Sequence, residues 1–241
     1  MPVPTANGID NGVLISMSGF NQNKLINNNE IVQVGPGQTW NDVYEYTSPF
    51  NKGVAGGRFS PVGVGGLLLG GGLSYFASQI GWASSNVKGY EVVLADSTIV
   101  EVSATSHSDL FWALKGGSNN FGIVTRFDIQ TLPVTDLYGG NTLYNTDNYP
   151  GFLKAISDYV SPGGGSEDDK AAILPDIVVT PAMSLVQGSL VAFYNGDDAD
   201  PKALEGFAKV PNNFTDNSIR DSFLAYTNLT NLPVYGARTN R

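Results

Sequence analysis

An α+β fold is what this sequence predicts, and three observations carry it. Tyr90–Ala95 and Thr98–Val102 flank Asp96-Ser97, a two-residue loop of hairpin chemistry, which implies antiparallel pairing. Phe121–Ile129 adds a strand whose later residues alternate between apolar and polar. Past it come a helix, two strands and a second helix, the order expected of helices set against an antiparallel sheet.

The elements follow in turn. Val13–Met17 is an apolar strand candidate after the Asn11-Gly12 turn signal. Polar residues from Asn21 to Glu30 separate it from a strand at Ile31–Val34, which Gly35-Pro36-Gly37 ends. Thr39 is placed to cap a helix whose aromatic residues run from Trp40 to Tyr46 at near-helical spacing. A glycine-dense run occupies Val54 to Tyr75, and Leu73 to Ile80 forms a short helix closed by Gly81. After the hairpin, Ser108 caps a helix over Asp109–Leu114 that carries Phe111 and Trp112. Lys115–Asn120 is a turn, and Pro133 closes this unit after the strand. A helix spans Tyr149–Val160, and the acidic loop Pro162–Lys170 reads as a solvated surface. Strands follow at Ala171–Val179 and Leu185–Tyr194 with a turn near Pro181, then a helix from Pro201 to Lys209. Pro211–Arg241 has weak periodicity. Two domains result, 1–133 and 134–241.

Composition narrows the function. At 241 residues with 41% hydrophobic content and a mean hydropathy of −0.06, the chain is of ordinary globular type. No apolar run approaches the ~20 residues that cross a bilayer. A net charge of −9 disfavours nucleic acid or an anionic membrane as partner. Zero cysteines exclude disulfides and thiolate metal sites, and His107, the single histidine, cannot build a histidine metal site alone. The first residues lack the basic start and apolar core of a signal peptide, so the compartment stays open. The sequons at Asn213 and Asn228 matter only in a secreted chain.

Glycine is the outlier, 29 residues where about 17 are usual. The run holds Gly56, Gly57, Gly63, Gly65, Gly66, Gly70, Gly71 and Gly72 among Val and Leu, which makes it ordered backbone rather than a linker. Such backbone presents N–H donors with no Cβ in the way, which suits an anionic cofactor bearing a pyrophosphate. Tight strand–helix packing is the plainer alternative. The dinucleotide fingerprint Gly-x-Gly-x-x-Gly fails, with Leu68 sixth from Gly63 and Tyr75 sixth from Gly70. No Gly-Lys pair exists for a phosphate loop, and Gly72-Leu73-Ser74-Tyr75-Phe76 fails as a nucleophile elbow. Ser106-His107-Ser108-Asp109 is a turn and helix cap, since adjacent residues do not make a catalytic relay.

Five motifs remain in order: Val62–Tyr75, Gly81 with Asn86-Val87, Glu91–Asp96, Asp109–Gly117, and Asn120–Thr125. Over roughly Asp10 to Pro133 they resemble the FAD-binding domain of the berberine bridge enzyme-like oxidases, fungal branch. That group lies within the vanillyl-alcohol oxidase and p-cresol methylhydroxylase superfamily. The resemblance implies the p-cresol methylhydroxylase type of FAD domain, second subdomain, followed by the start of an α+β substrate domain. It implies that Gly56, Gly57, Val62, Gly63, Val64, Gly65 and Gly66 lie along the ribityl and pyrophosphate, with Gly70, Gly71 and Gly72 continuing the lining. Asn86, Val87, Gly122, Ile123 and Val124 would lie near the adenosine half. Tyr75 stands between a cofactor and a core role, whereas Phe111 and Trp112 are expected to anchor their helix in the core.

The implied activity is oxidation of an alcohol, sugar or secondary metabolite by FAD, with O2 as acceptor. No catalytic residue is assigned. Family members attach flavin through a histidine in an Arg-Ser-Gly-Gly-His-like loop that nothing here matches. Phe59 stands at the flavin-linking cysteine position of doubly linked members. Bound FAD is therefore expected to be noncovalent. Relatives are often secreted. The chain reads as a middle slice of a longer enzyme, with marginal stability, and a non-catalytic remnant that binds FAD weakly or not at all is the alternative.

Overall fold

In a computed structural model, residues 11–180 and 185–230 are described. They form two antiparallel sheets joined by a shared core. The first sheet runs β1 (Asn23–Ile26), β2 (Ile31–Val34), β6 (Ile123–Pro133), β4 (Val87–Val93) and β5 (Ile99–Ser103), with β3 (Lys52–Val54) also paired to β6. The second runs β10 (Phe214–Thr215), β7 (Leu137–Tyr144), β9 (Leu185–Tyr194) and β8 (Ala171–Thr180), with β11 (Ser218–Arg220) also on β7. The α+β class is as the sequence predicts.

Helix α1 (Trp40–Thr47) starts where Thr39 and Asp42 cap one another. The Thr39 N–H donates to Asp42 Oδ2 at 2.7 Å, and Thr39 Oγ1 accepts from the Asp42 amide. Its inner face, Trp40, Val43, Tyr44 and Thr47, is buried. Two short helices lie within and after the glycine run, α2 (Val64–Leu69) and α3 (Ala77–Ile80). Next comes α4 (Ser108–Ala113), whose N-cap position is His107, in left-handed backbone and without a side-chain capping bond, rather than Ser108. The helices α5 (Tyr149–Val160), α6 (Glu205–Ala208) and α7 (Phe223–Thr230) belong to the second sheet.

The first sheet's core continues into the second through an aromatic cluster. Phe193 packs on Tyr75 at 5.1 Å, Phe76 at 5.2 Å and Tyr226 at 5.2 Å between ring centroids. Phe223 lies edge-on to Tyr44 at 4.7 Å. The connection between the sheets, Val134 to Asp136, is short, and Val134 is itself part of the core. A second cluster, including Tyr144, Phe152, Leu190 and Phe207, fixes α5 and α6 to the second sheet.

Several expectations are corrected. Val13–Met17 forms no strand: Val13, Leu14 and Ile15 are exposed and pair with no neighbour among the described residues, so apolar content alone does not make a ladder. The polar stretch before β2 holds β1 and a turn of Asn27, Asn28 and Asn29, all at positive φ, a conformation asparagine tolerates. Strand β7 lies between Pro133 and Tyr149, where the sequence predicts no element. In place, a Cβ at Gly139 would meet the Ala192 carbonyl, and one at Gly140 would meet Asp216. Trp112 is 80% exposed and anchors nothing, whereas Phe111 packs on Tyr90 at 5.9 Å. The predicted helix at Leu73–Ile80 shrinks to Ala77–Ile80, and Pro201–Lys209 divides into a 3₁₀ turn and α6. The turn near Pro181 lies outside the described residues.

Candidate functional site

The glycine run is ordered by its neighbours. The Trp40 N–H donates to Val62 O at 3.0 Å, the Asn41 N–H to Ser60 O at 2.8 Å, and the Val64 N–H to Gln38 O at 3.0 Å. The start of α1 thus holds the start of α2. Val64 and Leu68 form the buried stripe of α2. Its first turn leaves the Gly65 and Gly66 amides without intrahelical acceptors. At its end, the Ser118 N–H donates to Leu69 O at 3.0 Å, which draws the Asn119–Val124 segment alongside. Gly72 has φ +74, and its carbonyl accepts from Ala83 N–H at 3.0 Å, pinning the Trp82 loop nearby.

Two clefts border α2. The first, about 390 Å³, has Pro36, Gly63, Gly65, Gly66 and Leu69 on one wall. Asn119, Gly122, Ile123, Val124 and Phe127 form the other, with Ile15 and Met17 at the rim. The second, about 340 Å³, is lined by Gly57, Arg58, Phe59, Val62, Leu67, Gly70, Gly72, Leu73 and Trp82.

The predicted site residues therefore sort into groups. Gly63, Gly65 and Gly66 meet Gly122, Ile123 and Val124 in the first cleft, although about sixty residues separate them in sequence. A Cβ at Gly63 or Gly66 would touch nothing within 4 Å, so bare backbone faces open space there. Gly57, Val62, Gly70 and Gly72 line the second cleft, and Gly71 lies beside Trp82. The remainder are placed by packing. A Cβ at Gly56 would run into the Trp40 ring and the Tyr44 hydroxyl, and Val64 and Val87 are fully buried. Tyr75 sits inside the aromatic cluster. The Asn86 side-chain amide donates to Ile80 O at 3.0 Å and Trp82 O at 2.9 Å, holding its own loop.

Sequence reasoning missed Arg58, Leu67, Leu73 and Trp82 as cleft residues. Arg58 carried a usable signal, a lone cation within an otherwise uncharged run. His107 lines neither cleft; its Nδ1 lies 3.1 Å from Ser106 Oγ on the turn before α4. Among the described residues no group of acids and histidines could hold a metal ion, and no helix is long and apolar enough to cross a membrane.

A dinucleotide needs close backbone approach at its phosphates and apolar walls for its two ring systems. Open glycines on α2 between two clefts of apolar lining fit both needs. Comparison with known proteins agrees: residues 3–103 match the model of the FAD binding domain family. The chain is 41% identical to the FAD-dependent monooxygenase prx3 of Penicillium roqueforti, over the whole of this chain and 47% of that protein.

The chain carries an FAD binding domain.

The fold of this chain is similar to 6-hydroxy-D-nicotine oxidase from Arthrobacter nicotinovorans, with a TM-score of 0.81 at 19% identity over 92% of this chain and 49% of that one. It is also similar to berberine bridge enzyme-like 1 of Physcomitrella patens, at a TM-score of 0.71 and 20% identity over 85% and 44%. The chain spans about half the length of the curated relatives it matches.

Proposed function

We propose that FAD lies across α2, its adenosine half in the first cleft and its flavin half toward the second, and that the protein oxidises a small molecule with O2 as co-reactant. The observation that carries this is the meeting of Gly63, Gly65 and Gly66 with Gly122–Val124 around a space that side chains leave open. Main-chain amides of the α2 first turn would serve the diphosphate, while Ile123, Val124 and Leu69 would enclose the adenosine. When bound, FAD supplies the two-electron acceptor. The chain's own part is to orient that group and keep water from one side of it, through Phe59, Leu67, Leu73 and Trp82.

An alcohol, sugar or secondary metabolite is the proposed substrate class, and the fungal monooxygenase named above supports O2 as a reactant. Within this chain no side chain of either cleft offers covalent attachment, since the single histidine lines neither cleft and the sequence has no cysteine. The division into an FAD domain over 1–133 and a partial substrate domain over 134–241 follows the change of sheet between Pro133 and Leu137.

Titration of the chain into FAD tests the cradle. Saturable quenching of flavin fluorescence at one equivalent supports it, and unchanged emission at high protein concentration overturns it. Peroxide release with candidate substrates then separates an oxidase from a chain that holds FAD without turnover.

A further inference from the structure

We propose that Arg58 faces the ring end of the bound dinucleotide and makes the chain hold the reduced, more negative form more tightly than the oxidised form. This rests on α2 being the cofactor cradle. Arg58 is half-buried at the second cleft, and among the described residues it has no ion pair and no hydrogen-bonded partner. The contrast is Arg126, which is held by Glu91, Glu101 and Asp128 at 3.4, 2.6 and 2.8 Å. A partly desolvated guanidinium without a counter-charge is costly, and an anion brought into the cleft relieves it.

The walls around Arg58 say which part of the cofactor arrives there. Phe59, Val62, Leu73 and Trp82 are apolar or aromatic, which suits a flat ring better than a hydrated diphosphate. Were FAD bound there, taking hydride from the carbon of a substrate alcohol would leave a carbonyl, the hydroxyl proton passing to solvent, and the reduced cofactor would carry one more negative charge than the oxidised form. A cation beside it favours that charge over the neutral oxidised state.

Arg58→Gln and Arg58→Lys in the full chain test the assignment. Oxidised and dithionite-reduced FAD and riboflavin are titrated without oxygen, and intrinsic tryptophan emission is followed. Arg58→Gln is expected to weaken both reduced ligands about tenfold more than their oxidised forms, the scale of a charge-assisted contact, with Arg58→Lys restoring most of the difference. Equal losses in the two redox states overturn the proposal. So does a loss for FAD alone with riboflavin unaffected, which would put Arg58 on the diphosphate. A wild-type chain that binds neither ligand removes the cradle and Arg58 together. Wild-type binding with an unchanged ratio in Arg58→Gln removes only Arg58.

Discussion

At the scale of single residues, the glycine run separates into positions closed by packing and positions that face open space. Gly56 has no room for a methyl group, because Trp40 and Tyr44 occupy the place where it would go. Gly66 has nothing within 4 Å of that place and sits inside α2. Substitution by alanine should therefore act in opposite directions. Gly56→Ala is expected to lower stability by about 2 kcal/mol through overpacking. Gly66→Ala should raise it by about 0.5–1 kcal/mol through helix propensity and a less flexible unfolded chain. Gly66→Ala should also weaken FAD binding, since its methyl group enters the cleft. Urea denaturation and flavin quenching on the same two variants decide it; destabilisation in both would mean that the run serves packing throughout.

At the scale of elements, the Thr39–Asp42 capping box fixes where α1 begins, and α1 in turn holds residues 60–64. Thr39→Ala should cost about 1 kcal/mol. It should also loosen FAD binding without touching the cofactor; native-state hydrogen exchange should show faster opening at Val64, whose amide bonds to Gln38. Elements with local chemistry of this sort were legible in the sequence: the Thr39 cap and the helix at Tyr149–Val160, found at those same bounds. The hairpin was legible too, but its loop is the three residues Ala95–Ser97 and not Asp96-Ser97 alone, since Val93 pairs with Ile99 and the Leu94 N–H donates to Thr98 O. The elements that were missed depend on distant partners. Gly139-Gly140 is held extended by pairing with β9, and the nearness of Ala192 and Asp216 leaves no room there for side chains; among the described residues no strand lies beside Val13–Met17. Helix α2 was hidden since Gly65-Gly66 opposes helix formation, and its buried Val64 and Leu68 supply what propensity does not. Within the candidate site, the glycines were readable from composition. The apolar walls around Arg58 were not, because Trp82 reaches that cleft through the pairing of Ala83 with Gly72 and of Ser84 with Gly71.

At the scale of the whole molecule, buried tyrosines tie stability to pH. Burial pushes Tyr144 and Tyr159 up to about 12, and Tyr44 and Tyr226 well above the usual tyrosine range. A phenol whose folded pKa lies above its unfolded value of about 10 holds its proton longer in the folded state. Its contribution is complete below pH 10 and declines as pH rises toward 12, because the unfolded chain loses the proton first. Alkaline titration should show ellipticity and tyrosinate absorbance changing together in that interval. Ionisation of these tyrosines well before unfolding would contradict their burial.

The ring-on-ring seam formed by Tyr75, Phe76, Phe193, Phe223 and Tyr226 also bears on what happens when the backbone is cut. A single protease nick at Thr135, exposed between the sheets, would sever the covalent link and leave the stacked rings in place. The two fragments should then co-elute from a sizing column and part only in denaturant, so that the halves behave mechanically as one particle.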